Sequence, residues 1–452
     1  MKTIVVGCGK IGTTVLASLI AEGHDAVAID NAPQVISDIT NIYDAIGVCG
    51  SGTDCEILSD AGVETADLFI AVTGSDEVNM LSCFIASQMG ARHTVARIRN
   101  PEYNEGNLEF LRGRLGLSMV INPERTVARR LFNVLKLPTA AQVETFSGRH
   151  VEMVELKLKQ DSALDGVKLS ELRKKFPYKL LICAVQRDDE VTVPDGGFVL
   201  QSGDKIGITA PPSEVVKLLR GLNILQKQSR SVMILGAGTT SYYLSKLLLS
   251  EGFSVKIVEK DADRCRVMAE NLPEAVVIHG DGAQRELLLE EGLPRMDAFV
   301  TLTGMDEENI LVSYFAASCK VPKVIAKINR DEFSPVAEQL GLETLVSPLK
   351  TVSNVIVRYA RALESSRDSS VESLYRIFDG KAEVLEFTVG DDCELMNVPL
   401  KELKLKSNTL IGGIIRGSTS IIPSGNDVVC AGDKVIVLTA GHRVNALSEI
   451  VQ

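Results

Sequence analysis

The chain repeats itself, and that constrains its fold more than any single motif. Gly7-Cys-Gly-Lys-Ile-Gly12 is echoed 229 positions later by Gly236-Ala-Gly-Thr-Thr-Ser241, and Ala28-Ile-Asp30 by Ile257-Val-Glu259 at the same offset. Gly50-Ser-Gly-Thr53 returns as Gly280-Asp-Gly-Ala283, and Ala71-Val-Thr-Gly-Ser-Asp-Glu-Val-Asn79 as Thr301-Leu-Thr-Gly-Met-Asp-Glu-Glu-Asn309. Val95-Ala-Arg-Ile98 and Ile325-Ala-Lys-Ile328, Asn122-Pro123 and Ser347-Pro348, and the Gly-Asp-Lys turns at 203 and 432 complete the series in unbroken order. Order kept at a nearly constant spacing marks a tandem duplication, so the fold must consist of two copies of one unit. A chain of 452 residues also exceeds what one core holds.

Each copy changes texture once. Residues 1–135 alternate apolar strands (Thr3–Val6, Asp25–Ile29, Asp67–Val72) with a helical face carried by Ile11, Val15 and Leu19. That alternation predicts a Rossmann-like, doubly wound parallel sheet with helices on both faces. Residues 141–225 switch to short strands separated by turns such as Pro194-Asp-Gly-Gly197 and Gln201-Ser-Gly-Asp204, the pattern of a small α+β lobe. The second copy divides alike, into a Rossmann-like lobe at 230–362 and a small lobe at 371–452. Linkers are expected at Leu225–Ser231 and near Leu363–Ser370.

In its strand-to-helix setting the first glycine loop has the features of a dinucleotide fingerprint. Gly7 permits the tight turn, Gly9 lets the backbone approach a pyrophosphate, and Gly12 allows close packing of helix on strand. Amides at the helix start then face the anion, along the stretch Cys8, Lys10 and Ile11. Asp30 lies 18 residues after Gly12, where a carboxylate accepts from a ribose 2′-hydroxyl and repels a 2′-phosphate. The same aspartate, before Asn31-Ala-Pro33, can equally be a turn residue. In the second copy Ser241 replaces the third glycine after Gly236, Ala237, Gly238, Thr239 and Thr240, and Glu259 keeps the acid. Thr240 and Lys260 can either select a different nucleotide or sit solvated. Thr73-Gly74 and Thr303-Gly304 fall at strand ends, where ligands of open α/β sheets bind, while Ser75 or Asp76 can cap the helix that follows. Arg97 and its counterpart Lys327 can reach phosphate or a neighbouring subunit, or serve as rim charges.

Several classes are excluded or weakened. Charged residues are 24% and apolar ones 45%, and no apolar run approaches a membrane span. The chain opens directly on a strand, so no signal peptide is expected. Nine cysteines without a CxxC pair suggest reduced thiols rather than a disulfide scaffold, and five scattered histidines assemble no metal site. A net charge of −11 argues against nucleic acid as a partner. The alternative to a sensor is an NAD-dependent oxidoreductase, which needs an acid or base beside the nicotinamide. No histidine recurs at matching positions, and Tyr242 with Lys246 sits directly behind a glycine loop, the wrong place for a catalytic pair.

With both loops, both acids and both small lobes placed, the chain resembles the TrkA family over essentially its whole length, as a fused pair of RCK units (regulators of K⁺ conductance). The resemblance rests on Val5–Gly12, Ala71–Asn79, Val95–Tyr103 and the Gly-Asp-Lys turns. It implies a non-enzymatic regulatory subunit whose small lobes are RCK C-terminal lobes and whose Rossmann lobes bind NAD(H) or ATP/ADP. The expected partner is a Trk-type membrane potassium transporter, contacted by a homo-oligomeric ring with a tetramer as first expectation. That places the chain in the cytoplasm, peripheral to the inner face of the membrane. It implies a first site of Gly7 to Gly12, Asp30, Asn31, Ser51, Gly52, Thr73, Gly74 and Arg97. The second would be Gly236 to Thr240, Glu259, Lys260, Asp281, Gly282, Thr303 and Lys327. The family often carries an acid after the third-strand glycine; Asp281 keeps it and Ser51 does not.

Overall fold

A computed structural model describes residues 1–452 except 101–102, 104, 137–141, 147–149, 161, 223–229, 343, 365–368 and 392. The first Rossmann lobe carries strands β1 (Lys2–Val6), β2 (Asp25–Asp30), β3 (Ala45–Cys49), β4 (Leu68–Ala71), β5 (His93–Arg97) and β6 (Met119–Ile121). Its helices are α1 (Lys10–Ala21), α2 (Pro33–Ile42), α3 (Cys55–Asp60), α4 (Asp76–Met89), α5 (Glu105–Leu115) and α6 (Pro123–Lys136). The strands run parallel in the order β3-β2-β1-β4-β5-β6, the doubly wound arrangement whose reversal point lies between β1 and β4. Strand β1 shows why a parallel sheet forms: Ile4, Val5 and Val6 are all buried, because helices cover both faces.

The first small lobe follows, with β7 (Gln142–Phe146), β8 (Val151–Lys157), α7 (Leu169–Lys175), β9 (Leu181–Arg187), β10 (Glu190–Thr192), β11 (Lys205–Ala210) and α8 (Pro212–Gly221). Its strands pair antiparallel as β10-β9-β11-β8-β7. The second Rossmann lobe repeats the first. Its strands are β12 (Ser231–Leu235), β13 (Ser254–Glu259), β14 (Val276–His279), β15 (Ala298–Thr301), β16 (Lys323–Lys327) and β17 (Leu345–Val346). Between and after them run α9 (Thr239–Ser250), α10 (Ala262–Asn271), α11 (Arg285–Glu290), α12 (Asp306–Ser318), α13 (Ser334–Gln339) and α14 (Pro348–Glu364). The second small lobe, β18 (Ser369–Ile377), β19 (Ala382–Val389), β20 (Thr409–Arg416), β21 (Thr419–Ile421) and β22 (Lys434–Ala440), pairs as β18-β19-β22-β20-β21. Most of the Leu225–Ser231 linker lies outside the described residues. Of Leu363–Ser370, the first two residues finish α14, the last two begin β18, and 365–368 lie outside.

Both Gly-Asp-Lys turns are built around a buried aspartate. Asp204 accepts two hydrogen bonds from Arg187 (2.8 and 2.9 Å) and one from the Gln201 amide (2.8 Å). Asp433 repeats this with Arg416 (2.8 and 2.7 Å) and the Cys430 amide (2.8 Å).

The last helix of each Rossmann lobe crosses to the other copy. The apolar stripe of α6 (Val127, Leu131, Val134, Leu135) joins one core with Leu244 and Leu248 of α9. That of α14 (Val352, Ile356, Val357, Ala360) joins a core with Val15, Leu16 and Leu19 of α1 and with Leu385 and Phe387 of the second small lobe. Each fully buried aliphatic side chain contributes about 1.5–3 kcal/mol, so the exchange ties the copies firmly. The small lobes share a further core in which Phe146, Met153 and Cys183 meet Ile377, Phe378 and Ile436. Thr209 donates across that seam to the Gly412 carbonyl (2.7 Å).

Candidate nucleotide-binding site

The chain leaves β1 through Gly7 at φ +86°, where a Cβ would stand 2.7 Å from the Thr73 Cα. Gly12 is equally constrained, because its Cβ would lie 2.0 Å from the Gly7 carbonyl oxygen. Helix α1 starts at Gly9 with no side-chain cap and no acid in its first turn, and α9 starts the same way at Gly238. Helix α4, by contrast, is capped by Ser75, which accepts from the Val78 amide at 3.2 Å. Uncapped first-turn amides behind a glycine loop form a cradle for an anion.

Asp30 closes the loop from below. Its carboxylate accepts from the Cys8 amide (2.7 Å) and the Ala32 amide (3.0 Å), so it is a turn residue and a loop tie together. Glu259 does the same with the Ala237 (2.7 Å) and Asp261 (3.0 Å) amides. An ionised carboxylate has about four lone-pair positions, and two amides leave room for ribose hydroxyls. Burial, and then the Asp30 charge, push the Cys8 thiol up to about 12, so Cys8 offers its amide and no nucleophile. Ser241, which replaces the third glycine, donates its hydroxyl to the Gly236 carbonyl at 2.5 Å. The second loop thus uses a hydrogen bond where the first uses bare backbone contact.

Above the loop lies a cleft of about 740 Å³. Gly7, Gly9, Lys10, Ile11, Asp30, Asn31, Ser51, Gly52, Thr73, Gly74 and Arg97 all line it. So do Thr240 and Lys327, which the sequence reading assigns to the second site, together with Asn329, Pro348 and Leu349. The cleft is composite because α6 and α14 both begin there, at Pro123 and Pro348. Its lining includes no histidine, cysteine or tyrosine. Tyr242 packs at the margin of the α9 core and Lys246 is exposed.

The cleft holds two half-buried cations, one from each copy. Burial, reinforced by Arg99, lowers the pKa of Arg97; its Nη1 donates to the Thr73 carbonyl (3.2 Å) and its Nε is buried without a hydrogen-bond partner. Burial likewise lowers Lys327, against the opposing charges of Asp306 and Glu124, and its Nζ reaches the Leu302 carbonyl (3.3 Å). Glu124 is held by Arg99 (2.8 Å) through one oxygen, while the other is buried and unpaired. Desolvated cations with unspent donors favour an incoming anion. The two cations fit a nucleotide phosphate, and the unpaired Glu124 oxygen in the same lining opposes it.

Some assigned residues play narrower parts than expected. Thr73 lines the cleft, but its hydroxyl donates to Asn79 Oδ1 (2.7 Å), as that of Thr303 does to Asn309 (2.8 Å). Ser51 and Asp281 steady the same turn, accepting from the Thr53 (3.3 Å) and Ala283 (3.0 Å) amides. Lys260 is exposed. Asp76 does not cap α4; it accepts from the Arg99 and Asn100 amides, both at 2.8 Å. Asp306 does likewise for Asn329 (2.9 Å) and Arg330 (2.8 Å). Sequence reasoning passed over the buried clamps Asn79 and Asn309, which also donate to the carbonyls of Arg97 (2.9 Å) and Lys327 (3.0 Å). Their signal was present: an asparagine recurs at one position of the duplicated motif. Nothing comparable announced Glu124.

Two Rossmann lobes of one ancestry, with uncapped glycine loops, acid ties and a shared cationic cleft, define a duplicated Rossmann module. Sequence comparison agrees. The TrkA-N domain matches residues 3–123 and 232–348, and the TrkA-C domain matches 153–222 and 384–452. The chain belongs to the TrkA family, which is regulatory and not enzymatic. It is 31% identical to the Trk system potassium uptake protein TrkA homolog of Archaeoglobus fulgidus, with all of both chains covered. It is 30% identical to the TrkA protein of Vibrio alginolyticus over 98% of this chain and 96% of that one. Among solved structures, the GsuK channel bound to NAD shares the fold over 97% of this chain and 77% of its own, with a TM-score of 0.63 at 18% identity.

Proposed function

We propose that the chain is the nucleotide-sensing regulatory subunit of a Trk-type potassium uptake system, binding NAD(H) and ATP/ADP in its Rossmann lobes. The composite cleft carries this reading: the first glycine loop and Asp30 face Lys327 of the second copy across a single space. Asp30 and Glu259 would hold adenosine ribose, the loop amides the phosphates, and Arg97 and Lys327 the far phosphate charge. A ligand touching both copies binds differently whenever their relative angle changes, and only such differential affinity can shift a transporter between states. The relatives named for potassium uptake, and the NAD in the GsuK channel, support the same assignment.

Further support for a ring comes from the surface. Leu81 of α4 and Phe110 of α5 are 49% and 65% exposed, and Leu311 of α12, the repeat partner of Leu81, is 64% exposed. Apolar side chains left bare at matching places in both copies suit a head-to-tail contact between chains. Among the described residues no helix is long and apolar enough to cross a membrane. As a Trk-type subunit the chain would contact its transporter peripherally, on the cytoplasmic side.

Isothermal calorimetry of Asp30→Ala tests the site. Removing hydrogen bonds to a charged group costs about 1.5–3 kcal/mol, or roughly 10- to 150-fold in affinity at the first site. Unchanged NADH and ATP binding would count against Asp30 as the sugar ligand.

A further inference from the structure

The first nucleotide loop is joined to the second small lobe by a buried set of ion pairs. Helix α1 starts at the glycine loop and ends, about 18 Å away, at Ala21. The next residue, Glu22, has a side chain only 3% exposed. It accepts from Arg361 Nε of α14 at 2.6 Å and is also bonded by Arg376 of β18. Arg361, with a side chain 1% exposed, spreads its other two nitrogens over Glu383 of β19 at 2.8 and 2.9 Å. Arg376 closes the ring to Glu383 at 3.3 Å. Arg443 reaches the Ala21 carbonyl, and Ser353 donates to Ser18 at 2.7 Å. Burial alone would raise the Glu22 carboxyl, but the hydrogen bond and charge of Arg361, with Arg376 and Arg443, outweigh it and lower the pKa.

The duplication provides an internal comparison. Glu251, at the end of α9, corresponds to Glu22, and Lys136, at the end of α6, corresponds to Arg361. They pair at 3.0 Å with side chains 49% and 30% exposed. The register position of Arg376, opposite Glu383, is occupied in the first small lobe by Thr145, opposite Glu152. A buried network resists sliding, because any shift strands a charge in apolar surroundings. An exposed lysine–glutamate pair exchanges readily with water.

We propose that this latch makes the second small lobe the output of the first nucleotide site, transmitted along α1, whereas the corresponding Lys136–Glu251 pair of the other copy is partly exposed and couples its helix less stiffly. The inference rests on the nucleotide reading given above. Hydrogen exchange of the full chain, with and without saturating NADH, tests it in a Glu259→Ala background that leaves the first site to respond. In that background NADH should slow exchange in β18, β19 and β22 by about fivefold, the low end of coupling between sites. Arg361→Lys should abolish this slowing while NADH still binds by calorimetry, and Lys136→Met should leave it intact. Should Arg361→Lys fail to fold, Glu22→Gln keeps the volume and removes the charge, with the same loss expected. A full response in both latch variants, or equal loss in Lys136→Met, overturns the proposal. Absence of NADH uptake by the unsubstituted chain overturns the nucleotide reading and the latch together.

Discussion

Gly12→Ala is the smallest change that should disable the first site, and the duplication provides its control. The added methyl would stand 2.0 Å from the Gly7 carbonyl oxygen, a backbone atom with no rotamer to escape through. Reaching ordinary van der Waals separation requires a shift of more than about 1 Å, in either α1 or the glycine loop. Helix α1 is held by Val15, Leu16 and Leu19 in the core, so the loop must move. Overpacking of this kind costs about 1–3 kcal/mol, which lowers Tm by roughly 2–12 °C in a unit of this size. The loop amides would leave the phosphate position by a comparable distance, so NADH affinity should fall further than stability alone explains. Ser241 shows how a side chain is admitted at this position: the second loop turns its Gly236 carbonyl to accept the hydroxyl at 2.5 Å. Gly12→Ser should therefore retain more binding than Gly12→Ala, despite being larger. Thermal melts and calorimetric titration of both variants provide the measurement. If Gly12→Ala binds and melts like the parent chain, or alanine is tolerated better than serine, the account of the loop fails.

Two further expectations concern groups away from the cleft. Burial pushes the Lys323 ammonium down to about 7, while its Nζ donates to the Val134 carbonyl at the end of α6 (2.6 Å). Between about pH 7 and the ordinary lysine value the unfolded chain binds the extra proton, so stability should rise with pH, by at most ~1.4 kcal/mol per unit. In Lys323→Met, denaturant midpoints across that range should lose this slope; an unchanged slope assigns it elsewhere. Phe110→Asp combined with Leu311→Asp places charges on both exposed faces, and sedimentation should then show single chains in place of the ring. A ring that survives both substitutions would move the interchain contact to another surface.

The duplication, the doubly wound sheets and the glycine loops were legible because each depends on local sequence. A glycine at Gly7 and an acid at Asp30 answer to neighbours within one β-α-β unit. The apolar stripes of α6 and α14 were equally visible, but a stripe reports how much surface is buried and not against which partner. The exchange of these helices was therefore hidden, and with it the sharing of Thr240 and Lys327 with the first cleft. Glu124 escaped for a related reason: it pairs with Arg99, brought close by strand order rather than by spacing along the chain.

Helix exchange also explains why duplication was worth keeping. A lone Rossmann lobe could bind a nucleotide with its own loop and acid, but its ligand would have nothing across the cleft to pull on. Once α6 and α14 trade partners, the two lobes cannot separate without exposing Val127, Leu131, Ile356 and Val357, and both exchanged helices start at the cleft, at Pro123 and Pro348. On the proposed reading, filling the cleft with negative charge would draw Arg97 and Lys327 together across the copies, and so change the angle between the lobes. Divergence between the copies would then decide where such a change is passed on: the acid at the end of the first helix met a buried arginine, and that of the second a half-buried lysine.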